Sequence, residues 1–506
     1  MRAFLPQSAL AVLSAFSVSI PLWLSGCTLT QKFEECVSDA ECSTVNGQKQ
    51  YCSSDRLCVL GRPKEQLCGE IYPPNAPSNS IVIGGIAFTE DGNDDLVIKA
   101  WKLGIDQVNE RRSPDPPLAL HICDVGKDEN DAFKSMQLLA RERGAVAVVG
   151  PTTSGRTFAI KDELIRSGVP MMSPSATSPE ISALGNQAGP VNGIFYRVVP
   201  SDALQGPVLA KQIQPAATPP KVALMYVDDP YGTGLKDAFL SALPGQGLPS
   251  PAITVKYNEP AAGVDLPSIN AAASSILGLN PKPDYVVAIA NVYTVDVIKA
   301  LTPLPTMGTP STKIIMADGA KNDNTLALSN TAYGSYMAAV VNAHLMRISG
   351  TAPTVDTANQ TKTGAYQKFV DDYKLRWNQQ DPSISIFSAY GYDSIFAVAI
   401  AIGAAGTEVS APRVSQMLGR INKIEASTGR CLADAMDVAT NNWLVVGKTK
   451  FLDAKNKLTM RDGLVLQGST GTICFTPHGD RSAGLYERWN INPTAVPPRF
   501  DSVPAS

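Results

Sequence analysis

From Ser80 onward, short apolar runs alternate with stretches of mixed, helix-like pattern. The runs at 81–87, 118–123, 145–149, 170–172, 222–227, 253–257, 285–290 and 313–317 are mostly apolar. Continuous apolar runs of this length predict strands buried on both faces, as in parallel sheets. Between them, helices are predicted at 94–110, 131–143, 156–166, 203–214, 234–243, 266–277 and 295–301. Two more are predicted at 364–377 and 388–405. Strand–helix alternation predicts an α/β fold. Because the pattern restarts after Ser201, two similar lobes are expected.

The segment Ala145 to Glu180 carries the most chemistry. Its first apolar run stops at Gly150-Pro151, and Thr152, Thr153 and Ser154 follow. An amphipathic run, 156–166, leads to a second apolar run that ends in Ser173, Ser175 and Thr177. This is the strand–helix–strand unit of a parallel sheet. Ligands of open α/β sheets bind beyond the carboxyl ends of strands. Hydroxyls and free N–H groups beside a helix N-terminus suit a small anion such as a carboxylate. A competing pattern is the P-loop, since 150–157 reads G-P-T-T-S-G-R-T. Arg156 stands where its lysine belongs, which favours the carboxylate over a nucleotide.

The run 168–180, GVPMMSPSATSPE, resembles the signature of type 1 periplasmic binding proteins of the leucine/isoleucine/valine-binding family. Further similarities come in the family's order: 197–206, RVVPSDALQG; 229–235, DPYGTGL; 316–319, MADG; and 471–489, GTICFTPHGDRSAGLYERW. Together they cover roughly 80–491. The resemblance implies two Rossmann-like lobes joined by a three-strand hinge. Crossings between lobes are expected near 197–202, 336–343 and 468–475. It also implies an amino acid ligand. Ser154, with the backbone and hydroxyl groups of Ser175 and Thr177, would hold the carboxylate. Thr177 and the Ser175 carbonyl would also take the ammonium, with Tyr231 and Asp318 completing its cage from the second lobe. Tyr293 would face the cleft. Alternatively, Tyr231 only caps a helix and Asp318-Gly319 is only a turn. After the first strand, Phe88-Thr-Glu-Asp-Gly92 departs from the family's small Ser-Gly loop.

The start of the chain points to export. Met1-Arg2 precedes a mostly apolar stretch, 9–24, ending in Leu24-Ser25-Gly26-Cys27, which resembles a bacterial lipobox. Residues 1–26 are thus expected to be a signal peptide, and Cys27 a lipidated N-terminus holding the protein at the cell envelope, periplasmic or surface-exposed. Eight cysteines remain: Cys36, Cys42, Cys52, Cys58, Cys68, Cys123, Cys431 and Cys474. An even count in an exported chain predicts disulfides, although spacing does not fix their connectivity. A Cys68–Cys123 pair is plausible and leaves Cys431 with Cys474. The first four lie in a polar segment too small to bury a core, so 27–79 is expected to be a cross-linked module plus linker. No metal site is expected there, because CxxC-type spacing is missing and the 506 residues include only three histidines.

A net charge of −3 with no basic stripe argues against nucleic acid as a partner. No GxSxG or HExxH motif is present, so no enzyme and no cofactor are expected. The boundaries expected are a first lobe at 80–200 with a return segment near 340–467, a second lobe at 201–339 with 468–491, and a loose Pro-rich tail at 492–506. The function expected is capture of a small carboxylate, an amino acid above all, for an ABC importer and its permease. A receptor-type sensor without a transporter is the alternative.

Overall fold

The computed structural model describes residues 35–505, apart from 46–47, 54–55, 61, 90–91, 114, 127–128, 186–192, 217, 259–265, 292, 303–311, 332–337, 356–363, 386, 423–443, 446, 449–450 and 461–463. Cys27 and the lipobox lie outside the described residues. The chain divides into two units, 1–61 and 62–506.

The first unit is a small antiparallel sheet of β1 (Thr44–Val45), β2 (Gln48–Cys52) and β3 (Cys58–Leu60). Disulfides Cys36–Cys52 and Cys42–Cys58 staple it, pairing first with third and second with fourth. Each closes a separation of 16 residues. On the chain-entropy account, a loop of about 15 residues contributes about 3 kcal/mol, a large share of what so small a unit needs.

In the second unit, the first lobe is built on β4 (Glu70–Tyr72), β5 (Ile81–Ala87), β6 (Leu118–Asp124), β7 (Ala147–Val149), β8 (Met171–Ser173) and β9 (Phe195–Arg197). Their order is β4-β6-β5-β7-β8-β9, with β4 antiparallel to β6 and the others parallel. Ile86, Val148 and Met171 feed a core on one face. Ile83, Val149 and Met172 feed a larger one on the other. The two-sided burial explains why these strands read as unbroken apolar runs. The helix Phe387–Ala404 is long and apolar enough to cross a membrane, yet it lies buried in the larger core against Gly92–Arg112.

The second lobe holds β10 (Val222–Val227), β11 (Ile253–Tyr257), β12 (Tyr285–Ile289), β13 (Lys313–Met316) and β14 (Ile348–Thr354). After β15 (Leu444–Val445), β16 (Leu466–Gly468) and β17 (Gly471–Ile473), which form a small sheet of their own, the chain adds β18 (Leu485–Asn492) and β19 (Arg499–Pro504) to the second lobe. The large sheet runs β11-β10-β12-β13-β14-β18-β19.

Four boundaries differ from the expectation. The stapled unit ends at residue 61 and 62–72 already belong with the first lobe, because β4 pairs with β6 and Cys68 is bonded to Cys123, so the expected linker 73–79 joins β4 to β5. The second crossing follows Thr354 instead of lying at 336–343. Strand β14 reads ISGTAPT, with no apolar run, but β13 and β18 flank it and satisfy its backbone. The third crossing lies at 474–484, after β17 and later than 468–475. The C-terminus is not a loose tail. Pro493, Pro497 and Pro498 precede β19, Pro504 ends it opposite Glu487, and Phe500 packs edge-on against Trp489 at 5.1 Å.

Two buried arginines bind the crossings. Arg197 donates from Nε to Asp480 (2.7 Å) and from its guanidinium to the carbonyls of Ala176 and Ser178. Arg481 donates to the Val198 carbonyl (2.9 Å) and to Thr470 Oγ1 (2.8 Å). Beneath them, Asp393 accepts four hydrogen bonds from the backbone and hydroxyls of Ser469 and Thr470.

Alkylation without reductant is expected to label none of Cys36, Cys42, Cys52, Cys58, Cys68 and Cys123. Cys474 is disulfide-bonded as well, and Cys431 lies outside the described residues. Stoichiometric labelling of Cys36 or Cys42, read by mass spectrometry, would refute the stapled module.

Candidate functional site

The first lobe's contribution begins where β7 ends. Gly150 has φ +83°, and a Cβ there would lie 2.2 Å from the Ile86 carbonyl oxygen, so no other residue fits. Thr153 then caps the helix Ser154–Ser167, its side chain accepting from the Arg156 N–H. The loop after β8 is stitched to this one. Ser173 donates to the Pro151 carbonyl (2.7 Å), Ser175 donates to the Thr152 carbonyl (2.7 Å), and Ser154 accepts from the Ser178 N–H (3.2 Å). These bonds divide the hydroxyl roles. The Ser154 oxygen is occupied but its proton is left to donate, whereas the Ser175 proton is committed to the protein.

The second lobe presents Tyr231 at the start of the helix Pro230–Ala242, which Asp229 caps through the Gly232 N–H (2.7 Å). Tyr231 donates to Asp318 Oδ1 at 2.8 Å, and Gln205 Nε2 donates to the same oxygen at 3.1 Å. Asp318 opens a turn directly after β13. All six residues expected from the sequence line one cavity of about 590 Å³: Ser154, Ser175 and Thr177 from the first lobe, Tyr231, Tyr293 and Asp318 from the second.

The profile of the periplasmic binding protein family matches residues 95–446. The chain belongs to the type 1 periplasmic binding protein family. The Leu/Ile/Val-binding protein BraC3 of Rhizobium johnstonii is 35% identical over 155 residues, 30% of this chain and 40% of that one. The substrate-binding protein BasB of a chemotactic signal transduction system in Halobacterium salinarum is 29% identical over 127 residues, 24% of this chain and 30% of that one. The match thus spans well under half the length of these relatives. Among solved structures, the leucine-binding protein LivK of Thermotoga maritima has a TM-score of 0.59 at 15% identity, covering 84% of this chain and 97% of that one. LivJ of Streptococcus pneumoniae, solved with isoleucine, has 0.56 at 18%, covering 84% and 99%. A solute-binding protein of Rhodopseudomonas palustris, solved with 3,4-dihydroxybenzoic acid, has 0.58 at 12%, covering 85% and 98%.

Sequence reasoning missed several groups around this binding protein's cavity. Asp94 is buried and accepts from the Phe88 N–H (2.8 Å) and the Thr152 hydroxyl (2.6 Å), fixing the loop after β5 to the loop after β7. Its only signal was a carboxylate in the first turn of the helix that follows a buried strand. Asn322, Leu328 and Phe387 also line the cavity, and no motif marks them.

Electrostatically the binding protein's second lobe carries the tension. Asp202 is fully buried at the start of the helix Asp202–Ala210, and among the described residues neither carboxyl oxygen has a hydrogen-bond partner of good geometry. Burial, then the neighbouring Asp318 carboxylate, push Asp202 well above the usual carboxylate range, only partly offset by the nearby Thr177 hydroxyl and Arg197. Burial raises Asp318 too, against the hydrogen bonds from Tyr231 and Gln205. Burial and then the charge of Asp318 lift the Tyr231 phenol, which therefore stays a donor.

A carboxyl group whose pKa is raised by folding stabilises fully below its unfolded value, about 3.9, and loses that contribution as pH rises through the folded value. Asp202→Asn is therefore expected to raise the unfolding temperature of the ligand-free protein at pH 7.5 more than at pH 4. Calorimetric scans at the two pH values measure this. An equal change at both would show that Asp202 is not under this strain.

Proposed function

We propose that this protein is an extracytoplasmic solute-binding lipoprotein that holds an amino acid or similar small carboxylate between its lobes. In this reading it presents the ligand to an ABC importer, and no step of its work is catalytic. The observation that carries the reading is the polarity of the cavity. Hydroxyls and a helix N-terminus lie on one side, and the buried Asp318 carboxyl lies on the other. An α-carboxylate and an α-ammonium sit on one carbon, so a site with opposed donors and acceptors suits them both.

The names of BraC3 and of the isoleucine-bound LivJ support an amino acid. The dihydroxybenzoate-bound relative shares the fold with a ligand that has no ammonium, so the lobe II acid is the discriminating group. Envelope anchoring rests on Leu24 to Cys27. A sensor role is the second reading, favoured by the chemotactic relative and by the stapled module at 36–60.

Calorimetry with ligands found by a thermal-shift screen tests the site. Hydrogen bonds to charged groups are worth about 1.5–3 kcal/mol. Thr177→Ala is thus expected to weaken binding by roughly 10- to 100-fold, since about 1.4 kcal/mol is a factor of ten. Asp318→Asn is expected to penalise amino acids strongly and ammonium-free carboxylates little. Unchanged affinity in Thr177→Ala would remove the carboxylate cradle from the proposal. A silent Asp318→Asn would remove the amino acid.

A further inference from the structure

Arg156 has a use beyond the cradle. Its side chain is buried, 6% exposed, and lines the same cavity. Among the described residues it forms no ion pair, whereas Arg62 and Arg197 end on carboxylates and Arg481 on several carbonyls; Arg112, also buried, rests on the Pro116 carbonyl. The guanidinium donates one hydrogen bond, to the Gly126 carbonyl, and lies 5.6 Å from the centre of the Phe88 ring. A buried cation without an acidic partner is costly, and arginine is rarely buried unpaired. Its planar donors match a carboxylate in two parallel bonds.

The position of the head decides which carboxylate. Arg156 starts from the helix after β7, but its guanidinium reaches Phe88 and Gly126, which follow β5 and β6. The cradle of Ser154, Ser175 and Thr177 follows β7 and β8. In the sheet order β6-β5-β7-β8, the midpoints of those two strand pairs are two spacings apart. At about 4.8 Å per spacing that is about 10 Å. One carboxylate cannot serve both places. Two carboxylates joined by a short chain, each with a hydrogen bond at its outer end, do span it.

The acidic groups of the cavity do not compete for this role. Asp94 is taken up by Phe88 and Thr152, Asp318 by Tyr231 and Gln205, and Asp296, in the first turn of the helix Thr294–Leu301, forms no ion pair with Arg156 among the described residues. The facing wall mixes Asn291, Asn322 and Asn324 with Val295, Ala327 and Leu328, and Lys299 lies beside them, so the choice of ligand end falls to Arg156.

We propose that Arg156 holds a second anionic group at the far end of the ligand, so that the cleft selects an acidic amino acid or a related short dicarboxylate over a branched aliphatic one. This rests on the solute-binding reading above. The test is calorimetry of the full chain with L-glutamate, L-leucine, L-lysine and glutarate, for wild type, Arg156→Gln and Arg156→Lys. Wild type is expected to bind glutamate at least tenfold more tightly than leucine or lysine. Arg156→Gln is expected to cost glutamate at least tenfold more than it costs leucine, with Arg156→Lys in between. Circular dichroism melts confirm that the variants fold, and the wild-type ranking stands without them.

Leucine or lysine binding as well as glutamate overturns the proposal, as does an equal loss for glutamate and leucine in Arg156→Gln. Binding of glutarate but of no amino acid, lost in Arg156→Gln, supports the second anion while removing the amino acid from the broader reading. Failure of both glutamate and glutarate to bind overturns the inference.

Discussion

The buried guanidinium of Arg197 is the constraint on which the rest of the molecule is organised. It is fully enclosed at the end of β9, the last strand of the first lobe before the chain leaves it. Its ion pair reaches Asp480 in the third crossing, and its other donors reach the carbonyls of the very loop that forms the cradle. A buried charge must be paired and hydrogen-bonded to be tolerated, so these contacts are obligatory. The shape of the cradle and the path of the hinge therefore cannot be set independently. Arg481 repeats the arrangement one step away, joining the first crossing to the turn at Thr470 that Asp393 holds.

The two lobes differ in how completely they satisfy their polar groups. On the first, the loops after β7 and β8 bond to each other and to Asp94, and the cradle stands without help. On the second, Asp202 and Asp318 crowd one region with fewer donors than acceptors. Preorganised donors cost little to use, whereas crowded acceptors gain most from an incoming cation. The asymmetry fits a ligand that carries both charges.

Much of this was legible in the chain because the strands are buried on both faces. The run VALMYV at 222–227 shows both length and hydrophobicity, and the structure reproduces its ends; ITVKY at 253–257, an edge strand, alternates instead, with Thr254 and Lys256 exposed. The hydroxyl loops were legible because they interrupt such runs abruptly. What escaped was structure whose stability comes from neighbours. Strand β14 contains Gly, Pro and Thr and is a strand because β13 and β18 hydrogen-bond to it; its Gly350 leaves room for the Trp489 ring. Strand β19 is an edge strand after a proline cluster, and only pairing with β18 reveals it. Arg156 was visible as a residue, but its direction was not, since a helix position does not say which way a long side chain turns.

The bond from the Ser175 hydroxyl to the Thr152 carbonyl has a consequence for timing. It spans two loops of one lobe and needs nothing from the other. Under the proposed reading, a ligand therefore meets a finished half-site in the open protein and docks there in one diffusional step. Tyr231 and Asp318 join it only as the crossings bend. Capture rate then belongs to the first lobe and residence time to the second. Selection could consequently tune how quickly a solute is caught and how long it is held by changing different stretches of one chain.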